Sequence, residues 1–154
     1  MDLRRIMDNI FTQIIRNKIF MVTLLAWAAA QAIKVLIDIV RERRFDFRWF
    51  VGTGGMPSSH ASGAACLATS IGLYYGFNSV YFALAASFAL VVMFDAQGVR
   101  RASGRQARIL NQITKDIYWK GRMQEGSLRE LIGHTPVEVL AGFALGTLIA
   151  FLAR

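Results

Sequence analysis

The sequence predicts an all-α protein, an integral membrane helical bundle with about four transmembrane helices plus amphipathic interfacial helices. Three observations carry that reading. Hydrophobic residues fill 55% of the 154 positions and charged residues only 18%. The charges avoid four windows: Ile19–Val40 holds only Lys34 and Asp38, Ala61–Val80 and Tyr81–Phe94 hold none, and Val137–Ala153 holds only Glu138. Such windows approach the ~17–25 apolar residues that cross a bilayer, with some tilt. Finally, a soluble bundle shows polar residues every third or fourth position on its outer face. Gly63-Ala64-Ala65-Cys66-Leu67-Ala68 and Ala83-Leu84-Ala85-Ala86-Ser87-Phe88-Ala89-Leu90 show no such face.

Composition removes other classes. There is too much apolar surface for a disordered chain. The single Cys66 has no partner in the chain for a disulfide framework. Gly and Pro are at ordinary levels, which excludes collagen-like and low-complexity chains. The length suits one unit, so residues 1–154 are expected to form a single membrane-embedded domain. The net charge of +8 is gathered in connections between apolar windows, which points to lipid headgroups and not to nucleic acid.

The elements follow in order. Ile6, Ile10, Phe11, Ile14 and Ile15 recur at helical spacing among Arg5, Asp8 and Arg16, giving a basic amphipathic arm. The first span covers about 19–40. Ala26-Trp27-Ala28 fits a small-x-small cleavage site, but the apolar run continues to Val40, too long for a signal-peptide core, so a retained helix is expected. Further spans are expected near 60–77, 79–95 and 135–153. Ile109, Leu110, Ile113 and Ile117 repeat the arm's pattern, with Arg105, Arg108 and Lys115 opposite them and Tyr118-Trp119 following. Two readings stand for both amphipathic stretches: a helix in the headgroup layer, or a helix packed across the bundle ends.

Four spans put both termini on one membrane side and the 41–59 and 96–134 connections on the other. Those connections hold twelve cations (Arg41, Arg43, Arg44, Arg48, Arg100, Arg101, Arg105, Arg108, Lys115, Lys120, Arg122 and Arg129), against five on the terminal side. The positive-inside bias places the connections in the cytoplasm of a bacterial-type inner membrane.

Chemistry gathers at the helix ends. Met56-Pro57-Ser58-Ser59-His60 leads into the second span, with Ser58 or Ser59 as N-cap. Gly133-His134-Thr135-Pro136 leads into the fourth, with Pro136 in its first turn. Both starts fall on one membrane face, where free backbone N–H groups and positive dipole ends attract anions. Lys34 and Arg41, seven residues apart, bring cations from the first span to that face. Lys34, Asp38 and Arg41 at i, i+4 and i+7 also suit a stripe paired only with itself. Arg100, Arg101 and Arg129 lie in the connection on the same face. Arginine forks suit phosphate oxygens, and two histidines suit a nucleophile and a general acid. Glu138, one turn after His134, is placed to hold one imidazole nitrogen and leave the other reactive. No metal-ligand spacing is present, so no cofactor is expected, although Asp95 and Glu138 leave a divalent-cation requirement open.

Lys34-x6-Arg41, Pro57-Ser58-Ser59-His60 and His134-x3-Glu138, in that order, resemble the three motifs of the type-2 phosphatidic acid phosphatase and vanadium haloperoxidase superfamily: KxxxxxxRP, PSGH and SRxxxxxHxxxD. The stretches GGMPSSHAS, FDAQGVRRASGRQARILN and LIGHTPVEVLAG look like its divergent membrane branch, and the likeness runs from about Ile33 to Gly146. The resemblance implies that Lys34 and Arg41 hold phosphate oxygens and that Ser58 and Ser59 help through the motif. It implies that His60 protonates the leaving alkoxide and that His134 forms a phosphohistidine oriented by Glu138. Vanadate is then an expected inhibitor. Glu42 stands where the family has proline, Ser59 where it has glycine, and Glu138 where it has aspartate. Ser127-Leu128-Arg129 breaks the SR pair, so the second phosphate arginine is Arg129, Arg100 or Arg101. Four spans also leave less wall for a lipid than six. Gly142-x3-Gly146 is either a homodimer face compensating for this or a site of close packing within one chain.

Two function classes follow. One is a membrane phosphatase acting on a lipid phosphate, either an isoprenoid phosphate or diphosphate or a phosphatidate-type glycerolipid, with no nucleic-acid partner. The other is a non-catalytic module that binds anionic lipid, or a small transport subunit, which needs the cations but not both histidines. A haloperoxidase fits less well, because those enzymes are soluble.

Overall fold

A computed structural model describes residues 3–43, 55–98 and 134–154, together with 104, 106–107 and 109–111. Among the described residues, five helices have defined bounds: α1 (Leu3–Arg16), α2 (Lys18–Glu42), α3 (Ser59–Tyr75), α4 (Val80–Gln97) and α5 (Pro136–Leu152). No strand occurs among the described residues. The protein is an all-helical membrane protein, and the expected spans at 19–40, 60–77, 79–95 and 135–153 each coincide with one helix.

Local chemistry sets the helix starts. Asn17 separates α1 from α2, and its side chain accepts the Phe20 N–H at 3.1 Å. Ser79 does the same for Phe82 at 3.2 Å, after a turn through Gly76 at φ +89°, a conformation that favours glycine. Of the two serines expected to cap α3, Ser58 is the cap: its hydroxyl accepts the Ala61 N–H at 3.3 Å. Pro136 occupies the first turn of α5, as expected.

Helix α3 is the centre, with α2, α4 and α5 packed around it. Its inward faces carry small residues: Ala61, Ser62, Ala64, Ala65, Cys66 and Ala68 are buried. The Ser62 hydroxyl donates to the Ala26 carbonyl at 3.0 Å and the Cys66 thiol to that of Val22 at 3.6 Å, tying α3 to α2. On α5, a Cβ placed at Gly142 or Gly146 would strike the carbonyl oxygens of Ser58 and Ser62. The two glycines therefore let α5 lie directly on the α3 backbone. Of the two readings of Gly142-x3-Gly146, packing within one chain is the one the structure adopts.

The large apolar residues point outward. Leu84, Phe88, Val91, Phe94, Leu140 and Leu148 are all more than half exposed. Small residues inside and large ones outside invert the pattern of a water-soluble bundle and match a bundle solvated by lipid. Helices α2 and α4 are long and apolar enough to cross a bilayer, and only 28% and 17% of their apolar windows are buried. Helix α5 is apolar but 17 residues long, and α3 has the same length, the lower limit for a span. The count of four spans thus remains an expectation for α3 and α5. Helix α1 is the amphipathic arm, with Met7, Ile10, Phe11, Ile14 and Ile15 exposed. The expected second amphipathic stretch at 109–117 lies largely outside the described residues.

Candidate active site

The contacts between the helices define which helix ends share a side of the bundle. Helix α3 runs parallel to α5, since Ser58 and Ser62 of one meet Gly142 and Gly146 of the other in register. It runs antiparallel to α2, where the later residue Cys66 bonds the earlier Val22. Helix α4 also returns antiparallel, since Ala64 and Ala68 pack on Ala89 and Ala85 while Ala61 packs on Ala96. The C-terminal ends of α2 and α4 and the N-terminal starts of α3 and α5 therefore share one end of the bundle. Lys34, Arg41, Ser58, Ser59, His60, His134 and Glu138 all lie there.

His134 is the best-defined member. It precedes the N-cap Thr135, is buried, and its backbone N–H donates to the Ala96 carbonyl of α4 at 3.0 Å. Its Nδ1 lies 3.0 Å from Glu138 Oε2. The same carboxylate oxygen accepts the Thr135 N–H at 3.0 Å, and the Thr135 hydroxyl accepts the Glu138 N–H at 3.4 Å. Thr135 and Glu138 thus form a capping box, and its acid doubles as the partner of the histidine. A carboxylate only accepts, so the Nδ1 proton donates to it, and in the neutral imidazole this tautomer leaves the lone pair on Nε2.

The segment 55–58 joins this pair to Lys34. The Ser58 N–H donates to the Glu138 carbonyl at 3.0 Å. Three residues earlier, Gly55 sits at φ +85°, and a Cβ there would lie 3.0 Å from both Cγ and Cδ of Lys34. Lysine is thus folded against a glycine that leaves space for its stem, and Lys34 is only 5% exposed, which is unusual for an amine. Asp38, one turn further along α2, interacts with it electrostatically.

The remaining residues divide plainly. Ser58 and Ser59 are buried, Ser58 completely. His60 lies in the first turn of α3 and is exposed, as is Arg41 in the last turn of α2. Arg100, Arg101 and Arg129 fall outside the described residues, as do Arg105 and Arg108. Sequence reasoning passed over Thr135, whose spacing to Glu138 is a readable capping-box signature; it read Gly52-Thr53-Gly54-Gly55 as glycines that let the backbone approach an anion, but the contact of Gly55 with the Lys34 stem crosses the fold and no local pattern marks it.

With this geometry in place, comparison with known proteins is decisive at the family level. The family model described as the Divergent PAP2 family matches residues 15–149. The chain belongs to that family. An uncharacterized membrane protein of Bacillus subtilis (strain 168), YuiD, is 36% identical over 151 residues, covering 91% of this chain and 96% of its own length. No solved structure matches. The Divergent PAP2 match contains Lys34, the 55–60 segment, His134 and Glu138, so the residues joined at one bundle end all lie within the shared region.

Proposed function

We propose that the protein is a membrane phosphatase that hydrolyses a lipid phosphate through a phosphohistidine on His134. The observation that carries this is the buried His134, held at Nδ1 by Glu138 at 3.0 Å and at its backbone by Ala96, beside a turn that also touches buried Lys34. Nε2 of His134 attacks phosphorus as the bond to the lipid oxygen breaks, and His60 gives that oxygen its proton. Water, deprotonated by His60, then attacks the phosphohistidine, releasing orthophosphate and restoring His134. Lys34, Arg41, the Ser59 N–H at the start of α3 and one of Arg100, Arg101 or Arg129 balance the charge on the phosphoryl oxygens. No step in this scheme calls on a metal ion or other cofactor. The substrate class is an isoprenoid phosphate or diphosphate or a phosphatidate-type glycerolipid, with its headgroup presented on the cytoplasmic face.

Purified protein is assayed for phosphate release from a panel of prenyl and glycerolipid phosphates, with and without vanadate. Turnover, its loss in His134→Ala with binding retained, and an acid-labile, alkali-stable phosphoenzyme are expected. Equal turnover in His134→Ala would overturn the nucleophile. Silence across the panel moves the reading to an anionic-lipid-binding module or small transport subunit, which the buried Lys34 also fits.

A further inference from the structure

We propose that the crevice between α4 and α5 receives one hydrocarbon chain of the substrate lipid, an inference that rests on the phosphatase reading above. Helices α4 and α5 both pack on α3 but touch each other little. Between them lies an apolar crevice of about 360 Å³, within the ~300–1,000 Å³ of small-molecule sites. Its base is made of small residues of α3 and α4, among them Ala65, Ala68 and Ala89.

Position singles out the occupant. At its upper end stands Met93, which packs against the Ala61, Ala96 and Val139 cluster. Ala96 is the residue whose carbonyl holds His134. On α5, Phe143, Thr147 and Phe151 line the crevice, and continuing their four-residue spacing upward leads through Val139 to Thr135, the neighbour of His134. The crevice thus begins at Met93, three residues of α4, about 4.5 Å, below Ala96, with the buried Val139 between it and His134, and runs from there down into the apolar zone. From Met93 to Phe82 it spans eleven residues of helix, about 16 Å. That is close to half of the ~30 Å hydrocarbon core, the depth of one leaflet. A lipid anchored by its phosphate at the upper end has one chain's length of groove below it.

Three aromatic rings stand at the lower end. The Phe77 ring sits against Gly72, where a Cβ would collide with it, and stacks edge-on with Phe82 at 5.0 Å and 75°. Phe151 lines the same region from α5. A chain can fill the crevice as far as these rings.

Two measurements test this. In kinetics, wild type and Ala86→Phe are compared on hexyl and hexadecyl phosphate. Ala86 lines the crevice seven residues, about 10 Å, below Met93, beyond the reach of a hexyl chain. The expected result is a loss of kcat/KM on hexadecyl phosphate of about tenfold or more, the scale of an overfilled apolar site, with hexyl phosphate nearly unchanged. Equal losses on both overturn the proposal. In photolabelling, the full chain in phosphatidylcholine vesicles is treated with hexadecylphosphonate carrying a terminal diazirine, with the matching alcohol as control. Phosphonate-dependent labelling of Phe77, Phe82 or Phe151 supports the crevice, and labelling confined to the outward Leu84 and Phe88 overturns it. If wild type hydrolyses neither phosphate, the phosphatase reading fails, and the labelling pattern still decides whether the crevice holds the chain.

Discussion

Glu138 serves two structures at once, and the two can be separated by a single atom. Its Oε2 accepts both the His134 Nδ1 proton and the Thr135 N–H, each at 3.0 Å. Glu138→Gln keeps a capping-box residue, because glutamine serves at that position as glutamate does. It removes the charge facing His134. A hydrogen bond to a charged group contributes about 1.5–3 kcal/mol, and in the proposed mechanism the imidazole becomes most positive as it attacks and carries the phosphoryl group. At 1.36 kcal/mol per tenfold in rate, kcat is expected to fall on the order of 10- to 150-fold, with the melting temperature nearly unchanged. Glu138→Ala removes the cap as well, adding a stability loss of about 1 kcal/mol. The assay is phosphate release from a short-chain lipid phosphate, paired with thermal unfolding in detergent. Wild-type turnover by Glu138→Gln would refute the link between the cap and the chemistry. So would a rate loss seen only in Glu138→Ala, since that would follow the helix start and not the charge.

Other expectations follow from the same contacts. Gly146→Val drives a side chain into the Ser62 carbonyl and should destabilise the protein by about 1–3 kcal/mol, read as a lower melting temperature; unchanged melting would mean that α3 and α5 are not in direct contact. Gly55→Ala adds a Cβ 3.0 Å from the Lys34 stem at a φ of +85° and should raise KM more than it lowers the melting temperature. Lys34→Met keeps the apolar stem while deleting the charge, so substrate affinity should fall while the fold persists; unaltered KM would remove Lys34 from the site. A cysteine introduced beside Arg105 should resist an impermeant thiol reagent in intact cells, and labelling there would reverse the proposed sidedness.

The fold was legible because the bilayer leaves a coarse signal. Charge-poor windows locate α2 to α5 to within a few residues, and Ser58 and Pro136 mark helix starts by local chemistry. The packing was less so. Gly142 and Gly146 read equally well as an intermolecular or an intrachain face, because small-residue spacing records that a helix comes close and not which helix it is. Within the site, the His134–Glu138 pair was readable because i and i+4 meet on any helix. The contact between Gly55 and Lys34 was not, since it joins a loop to a helix some twenty residues earlier and depends on a glycine at positive φ.

The parallel pairing of α3 and α5 explains why a site arises at this end of so short a chain. Two helices that begin side by side bring two positive dipole ends together, each worth roughly half a charge, with a buried lysine beside them. That arrangement is electrostatically costly unless negative charge is supplied. Glu138 supplies part of it, but its Oε2 is already committed to Thr135 and His134. Elsewhere the close approach costs little, because glycine and serine let the backbones touch through Gly142 and Gly146. The starts of α3 and α5 and the Lys34 amine thus gather where His134 sits, the C-terminal ends of α2 and α4 and the Asp38 carboxylate offset part of that charge, and a phosphate is the kind of ion that two helix starts attract. Small residues in the middle of the helices and phosphate chemistry at their ends are, on this view, one design: substituting bulk at Gly146 should loosen not only the fold but also the affinity for vanadate, and a Gly146→Val protein that still binds vanadate at wild-type strength would show that the two are independent.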